Sequence, residues 1–423
     1  MESTDAKELN DKKTVAYIAS SELVKVSSLL PSNKKRSMIV HSLISSLGLM
    51  KPDFSTTSRL QVINPRRATY KELAVYHSRD YLDFVLEARH IDSSPASLCT
   101  GTNTEFGLED DCPPFSGLPD YVRLVAGATL TAADALRQET ADVAICWDGG
   151  RHHAQKSHAS GFCYIADCIL AIMSLKRPYP AFSAISPHSR RPRIMYLDLD
   201  LHFSDAVSEA FSSRAFGAPQ ILTLSVHHAA PGFFPASPRA QLTSVADQNF
   251  DPFSLSIPLL QGASNNTYAR IWPIIEKIKD SFDPDFVVVQ CGTDGLAGDP
   301  CATFNWSLGD DAGSLGWCIQ RVLKGWSKRT LLLGGGGYNS PNAARAWAYL
   351  TSIALERPID LETEIPDHVG FPLYGPSFTM DVSPGNMHNH NSDEYLGSIE
   401  NKFEDIIVEL QKRLENSTNV TTG

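Results

Sequence analysis

Six short runs of aliphatic and β-branched residues recur along the chain, and a Gly- or Asp-rich turn follows each. They are TVAYIAS (14–20), ADVAICWDGG (141–150), RIMYLDLDLH (193–202), ILTLSVHH (221–228), DFVVVQCGTD (285–294) and TLLLGGGGYN (330–339). Near-continuous apolar runs of this length are the pattern of strands buried on both faces of a parallel sheet. Between them apolar residues return at helical spacing over Tyr121–Arg137, Tyr164–Leu175, Tyr268–Phe282, Ala312–Trp326 and Asn342–Leu355. The alternation predicts an α/β fold, a single domain with a mostly parallel central sheet flanked by helices on both faces, and a site at the C-terminal ends of the strands. Arg177–Pro192, rich in Pro and Ser, and Ser383–Asp393 read as surface insertions, and an amphipathic segment (Phe403–Leu414) precedes a polar tail.

With 423 residues, 42% of them hydrophobic, the chain has material for a large core. It contains no run of about 18 apolar residues, and its first residues (MESTDAKELNDKK) are polar, so neither a membrane span nor a signal peptide is expected and the protein is placed inside the cell. The eight cysteines (99, 112, 146, 163, 168, 291, 301 and 318) show no CxxC pair and read as free thiols. On that reading the sequons at Asn265, Asn416 and Asn419 carry no information. A net charge of -11 argues against direct nucleic-acid binding, which needs clustered Lys and Arg, and accommodates a cationic partner more readily.

The chemistry-bearing residues fall at strand ends. In Tyr196-Leu-Asp-Leu-Asp-Leu-His202 the period-two alternation of a strand puts Asp198, Asp200 and His202 on one face, and unpaired carboxylates in an apolar run are costly to bury. A metal site resolves that cost. Asp294, directly after the run ending at Gln290, is the best third ligand, and Asp-His-Asp leaves open positions for water and substrate, as catalytic zinc requires. Asp299 competes for that place, although a turn cap suits it better. His152 and His153 follow the 142–147 run and could serve as ligands or as acid and base. Adjacent residues of an extended segment point different ways, so they are assigned to acid–base work, with Asp198 and Asp205 as the natural carboxylate partners. The four glycines before Tyr338 lack the Lys and Ser/Thr of a phosphate loop. They let backbone approach a ligand closely and deliver a Tyr hydroxyl that can stabilise an oxyanion.

Together these residues resemble the zinc-dependent class I histone deacetylases, which have an arginase/deacetylase-like α/β fold. The resemblance spans residues 14 to 380 and rests on Lys35-Arg36 with Val40-His-Ser-Leu43, Asp111-Cys-Pro113, GGRHHA (149–154), SGFCY (160–164), DLDLH (198–202), PGFFP (231–235), AGDP (297–300) and GGGGYN (334–339). It implies a disordered N-terminus at 1–13, a catalytic domain at 14–380, and a C-terminal helix and polar tail at 381–423. It implies one catalytic Zn2+ on Asp200, His202 and Asp294, and Tyr338 polarising the acetyl carbonyl. His153 would be the main base and then acid, paired with Asp205, with His152 beside it, paired with Asp198. Gly161, Phe162 and Phe234 would line a tunnel for acetyl-lysine, with Asp111 at its rim bonding the substrate backbone and Cys301 and Gly336 completing the substrate-binding set. A structural K+ near Asp198, Asp200, His202 and Ser225 is also implied. So are acetylated lysine in histone tails or other proteins as substrate, corepressor subunits as partners, a role in transcriptional repression, and a location in nucleus and cytoplasm.

Departures from the family pattern are specific. Phe203 and Ser204 stand where a His and a Gly are usual, which bears on whether Asp205 reaches His153. Arg151 holds a position, expected at the rim, that is usually apolar, and Cys301 replaces a common apolar tunnel residue. A two-manganese arginase-like site would need further carboxylates where Ser204, Gly292 and Leu296 stand. A deacetylase of polyamines or other small acetyl-amides, and a catalytically weak scaffold in a corepressor complex, are the alternative readings. Sirtuin-type chemistry lacks its dinucleotide fingerprint.

Overall fold

The computed structural model describes residues 13–52, 58–87, 101–178, 191–212, 220–248 and 250–420. Cys99, most of the 177–192 insertion and residues 1–12 of the expected disordered N-terminus lie outside them. Eight strands form one sheet: β1 (Lys13–Ile18), β2 (Ser58–Ile63), β3 (Val143–Cys146), β4 (Ile194–Asp198), β5 (Ile221–His228), β6 (Ser254–Leu259), β7 (Phe286–Gln290) and β8 (Arg329–Leu333). Their order is β2-β1-β3-β8-β7-β4-β5-β6, and every neighbouring pair is parallel. The expected α/β architecture is thus observed.

The six apolar runs became β1, β3, β4, β5, β7 and β8. The two strands without such a run are the edges: β2 (SRLQVI) leaves half its positions toward solvent, and β6 (SLSIPL) carries Pro258. Proline has no N–H to give to a ladder, which confines it to an edge.

Alternating residues divide between two cores. Val15, Tyr17, Val143, Ile145, Met195 and Leu197 face one side, and Ala16, Ile18, Ala144, Cys146, Ile194 and Tyr196 the other. The second side is covered by α1 (Ser21–Ser27), α3 (Leu118–Arg137), α4 (Asp167–Leu175) and α5 (Asp205–Phe211). The first is covered by α2 (Arg36–Ser46), α6 (Asn265–Phe282), α7 (Leu315–Gln320), α8 (Ser340–Ala354) and α9 (Asp393–Val420). In α9, Leu396, Ile399, Phe403, Ile406 and Leu410 join that core, and Arg270 of α6 pairs with Glu400 at 2.9 Å. The expected helix over Ala312–Trp326 is a short α-helix followed by a single π turn at Arg321–Gly325. Ser383–Asp393 is tied down: the Asn391 side chain exchanges two 2.8 Å hydrogen bonds with the backbone of Leu260, and Asn305 donates to the Met387 carbonyl at 2.8 Å. None of the described helices is long and apolar enough to cross a membrane, and the seven described cysteines are free.

A buried histidine fastens the loop that leads into the site. His77 is 2% exposed; its Nε2 accepts from Ala166 N at 3.0 Å, so Nδ1 carries the proton toward the Lys156 carbonyl at 3.2 Å. Burial, only partly offset by the backbone of Lys156 and Gln155, pulls its pKa from 6.5 down to about 4. Between those two values the unfolded chain binds a proton that the folded chain refuses. This contribution is therefore fully present above pH 6.5 and lost as pH falls from 6.5 toward 4, by about 3 kcal/mol. In urea unfolding at a series of pH values, His77→Gln should show a shallower acid loss than the wild type by about that amount. Parallel pH profiles for the two proteins would refute this account of His77.

Candidate active site

Four adjacent strands deliver the site from their C-terminal ends: β3 leads into 147–153, β4 into 199–205, β7 into 291–294 and β8 into 334–338. This is where side chains from separate segments of an open parallel sheet converge. The β4 segment differs from the expected strand alternation. The strand stops at Asp198, and side-chain-to-backbone bonds set the rest: Asp198 Oδ1 accepts from Asp200 N at 3.0 Å, and Asp200 Oδ1 from His202 N at 3.0 Å. A turn of this kind turns the second aspartate and the histidine into the same space.

There His202 Nδ1 lies 2.9 Å from Asp294 Oδ2 and 3.3 Å from Asp200 Oδ1. Asp200 and Asp294 are at most 1% exposed. Further bonds aim them: Gln290 Nε2 and Gly336 N donate to Asp200 Oδ2 at 2.8 and 2.7 Å, and Leu201 N donates to Asp294 Oδ1 at 3.0 Å. Two buried carboxylates demand positive charge between them. Burial pulls His202 down, but the hydrogen bonds and charges of Asp200 and Asp294 outweigh it and push the imidazole up to about 10. A divalent cation satisfies the same demand with oxygen and nitrogen donors that suit zinc. The residues present fit the metal that the fold class implies. His202, Asp294 and the Cys301 thiol have ligand atoms within 4.8 Å of one another, so Cys301 sits at this centre rather than only along a tunnel wall.

The two histidines of 152–153 part ways. His152 Nδ1 donates to Asp198 Oδ2 at 2.9 Å, an oxygen that also accepts from Tyr196 Oη at 2.6 Å; His153 Nδ1 pairs with Asp205 Oδ1 at 2.7 Å. Burial lowers both, and it wins at His153, where the neighbouring charge of His152 adds to it and Asp205 only partly compensates, leaving a pKa of about 4. At His152 the charges of Asp198 and Asp200 prevail and raise it to about 9. The two rings are pushed in opposite directions, the division that acid–base chemistry needs. Phe203 and Ser204 do not keep Asp205 away. Phe203 is buried against His227, with ring centroids 4.9 Å apart, and Asp205 starts α5 with its second oxygen held by Gln155 Nε2 at 2.9 Å.

Tyr338 stands opposite. Its backbone N, that of Asn339 (3.0 Å) and that of Cys301 (3.0 Å) all donate to Asp299, the Tyr338 bond being 2.7 Å, so Asp299 is the turn cap expected of it and also fixes the tyrosine. Burial, with Asp294 and Asp200 next, holds the Tyr338 hydroxyl well above 10, so it remains a donor.

Aromatic rings frame the approach. Phe162 meets Tyr338 at 5.5 Å between centroids, and Phe234, 41% exposed, meets His153 at 4.9 Å. Gly161 adopts φ +54, and a Cβ there would lie 2.5 Å from the His153 ring and 2.9 Å from Phe234, so no side chain fits. Asp111 is at the exposed rim, its Oδ2 accepting from Gly161 N at 2.8 Å. Gly336 lies beneath the ligands, where a Cβ would stand 2.3 Å from Asp294 Oδ2 and 2.8 Å from Asp200 Oδ2. Arg151, expected at the rim, is instead 5% exposed and deep.

Three contributors carry no site role in the expectations from sequence. Gln290 ends the apolar run FVVVQ, a polar residue whose position was itself a signal. Phe233, in PGFFP, stacks on His202 at 5.1 Å. Arg36 comes from α2 to donate to the carbonyls of Gly337 (2.7 Å) and Gly335 (3.0 Å), and no local pattern announced that contact.

A parallel α/β sheet with an Asp-His-Asp cluster and a split histidine pair at its strand ends defines a metal-dependent amide hydrolase of the arginase/deacetylase class. The pattern of the histone deacetylase domain matches residues 30–354, and the chain belongs to that family. It is 36% identical to Histone deacetylase 8 of Danio rerio over 385 residues, 91% of this chain and 92% of that protein. It is 35% identical to Histone deacetylase 8 of Xenopus tropicalis over 385 residues, covering 90% and 95%. With Histone deacetylase 1 of Homo sapiens it shares 32% over 374 residues, 88% of this chain and 70% of that protein.

Proposed function

We propose that the chain is a zinc-dependent lysine deacetylase that hydrolyses the acetyl-lysine amide of histones or other proteins, within the catalytic unit 14–380. The observation that carries this is His153, backed by Asp205 at 2.7 Å, lining one cavity with Tyr338 and lying 6.0 Å between ring centroids from the His202 of the Asp200–His202–Asp294 cluster. Zinc held by Asp200, His202 and Asp294 would supply Lewis acidity and bring the pKa of water to about 7.

The chain's own residues do the rest. The acetyl-lysine stem passes between Phe162 and Phe234, which exclude water from its methylenes, while Asp111 meets the substrate backbone at the rim. His153 accepts the proton of the attacking water on Nε2, because Nδ1 is committed to Asp205. Tyr338 donates to the carbonyl oxygen as it becomes an oxyanion. His152, bonded to Asp198 at 2.9 Å, is raised toward its charged form and so favours that developing negative charge. His153 then returns its proton to the leaving lysine amine, and acetate and free lysine part.

The test is hydrolysis of an acetyl-lysine peptide by protein stripped with a chelator and then given one equivalent of zinc. Turnover that vanishes and returns supports the reading; zinc uptake without peptide cleavage would sink it and favour the scaffold or small-amide alternatives. A structural K+ beside Asp198, Asp200, His202 and Ser225 is part of the proposal and should raise the melting temperature in potassium over lithium chloride. The role in transcriptional repression, corepressor subunits and a nuclear and cytoplasmic location rest on family membership. Co-purification and fractionation from source cells test them.

A further inference from the structure

Next to the cavity at the reacting position lies a second one that shares residues with it. Arg151 and Asn33 line both: on one side with His152, His153 and Tyr338, on the other with Arg36, His41 and Asp148. Arg151 and Arg36 therefore line the space next to the one that holds His153 and Tyr338.

The charge balance of this chamber is unusual. Arg36, 3% exposed, has its guanidinium on backbone carbonyls and over the Trp347 ring at 4.8 Å. Arg151, 5% exposed, donates from Nη2 to the Asp148 carbonyl oxygen at 3.1 Å, and its Nε is buried with no hydrogen-bond partner. The nearby carboxylates are occupied elsewhere. Asp148 pairs with His41 Nε2 at 2.9 Å, and Asp167 accepts from Arg151 N (2.7 Å), Gly150 N (2.9 Å) and Thr129 Oγ1 (2.6 Å). Among the described residues no carboxylate forms an ion pair with either guanidinium. Burial, and then the charge of Arg151, press Arg36 down to about 10; burial presses on Arg151 as well, but Tyr121, Cys163, Asp167 and Asp148 outweigh it and raise its pKa. A buried charge with an unused donor costs free energy until an anion meets it, and a planar guanidinium fits a carboxylate with two parallel hydrogen bonds.

We propose that Arg151, with Arg36 behind it, recognises a carboxylate at the far end of the acyl chain, so that the enzyme also removes short dicarboxylic acyl groups such as malonyl and succinyl from lysine. The proposal rests on the deacetylase reading and on its orientation of substrate. The lysine stem enters between Phe162 and Phe234, the carbonyl lies between His153 and Tyr338, and the acyl substituent points inward. An acetyl methyl offers the Arg151 Nε no acceptor, whereas an added carboxylate would. The reaction balances as hydrolysis: water adds its oxygen to the acyl carbon, the C–N bond breaks, lysine leaves as its ammonium and the acyl group as a dicarboxylate.

The experiment compares kcat/KM for acetyl-, malonyl- and succinyl-lysine versions of one peptide on zinc-loaded wild type, Arg151→Leu and Arg151→Lys, with thermal melts to confirm folding. Wild type should cleave a dicarboxylic acyl form. Arg151→Leu should lower the ratio of that rate to the acetyl rate by about 10- to 100-fold, with Arg151→Lys in between. If Arg151→Leu does not fold, the Lys variant carries the comparison, because it keeps the charge and loses the fork. Acetyl cleavage with no malonyl or succinyl cleavage overturns the proposal and leaves the deacetylase reading standing, as does an unchanged ratio in the folded variants. No cleavage of any form overturns both.

Discussion

Tyr338→Phe should lower kcat on an acetyl-lysine peptide by about 10²–10³-fold while KM moves by no more than about threefold. The substitution removes one hydroxyl and leaves the ring, so the 5.5 Å contact with Phe162 and the Asp299 bonds to the backbone of 338 and 339 persist. What disappears is a donor that burial and the Asp294 and Asp200 charges keep protonated at any working pH. That donor matters most when the carbonyl oxygen carries full charge, hence the expected fall in kcat rather than in binding. Zinc content should match the wild type, since Tyr338 is not among the proposed ligands. A variant that keeps a third or more of wild-type kcat would show that oxyanion stabilisation lies elsewhere, and His152, bonded to Asp198, would be the group to test next.

The sheet was legible because its six inner strands are buried on both faces and must be apolar throughout; β2 and β6 were not, because an edge strand with solvent on one side or a Pro within it loses that run. The site was legible for the same reason in reverse. Asp198, Asp200, His202, Asp294, His152 and His153 are polar groups where an apolar run ends, and the structure gathers all six. The means of gathering were not visible. Asp200 and His202 are aimed by a turn and by Gln290 and Gly336, not by strand alternation, and these are contacts over 90 and 136 positions of sequence. Arg151 is not at the rim where the family pattern sets its position, because its side chain turns inward to the Asp148 carbonyl. Its depth, with Nε left without a hydrogen-bond partner among the described residues, is a cost that local pattern does not reveal. Phe203, a departure that bore on the Asp205–His153 pair, shows the opposite lesson: a large apolar residue there turns inward against His227, and the polar pair above it is undisturbed.

Gly336→Ala should abolish turnover by removing the metal rather than by blocking the substrate. Position 336 lies among the residues expected to bind substrate, yet a methyl there would sit 2.3 Å from Asp294 Oδ2 and 2.8 Å from Asp200 Oδ2, inside contact distance of two carboxylates that have little freedom to retreat. Asp294 is held at its other oxygen by Leu201 N, and Asp200 Oδ2 by Gln290 Nε2 and by the N–H of Gly336 itself. Relief therefore moves a carboxylate or the loop that bonds it, and either shift of a few tenths of an ångström spoils a three-ligand site whose bonds are about 2.0–2.2 Å long. Zinc affinity should fall by about 10- to 100-fold or more, the scale on which disturbed support of ligands acts, and activity should fall further unless excess zinc is supplied. The fold should survive, because the clash is confined to the strand ends and spares both cores. Zinc titration with a competing chelator, beside a thermal melt, separates the possibilities. Wild-type zinc affinity in an inactive, folded variant would return Gly336 to the substrate-binding role, and wild-type affinity with full activity would mean that the 334–338 loop yields more easily than its hydrogen bonds suggest.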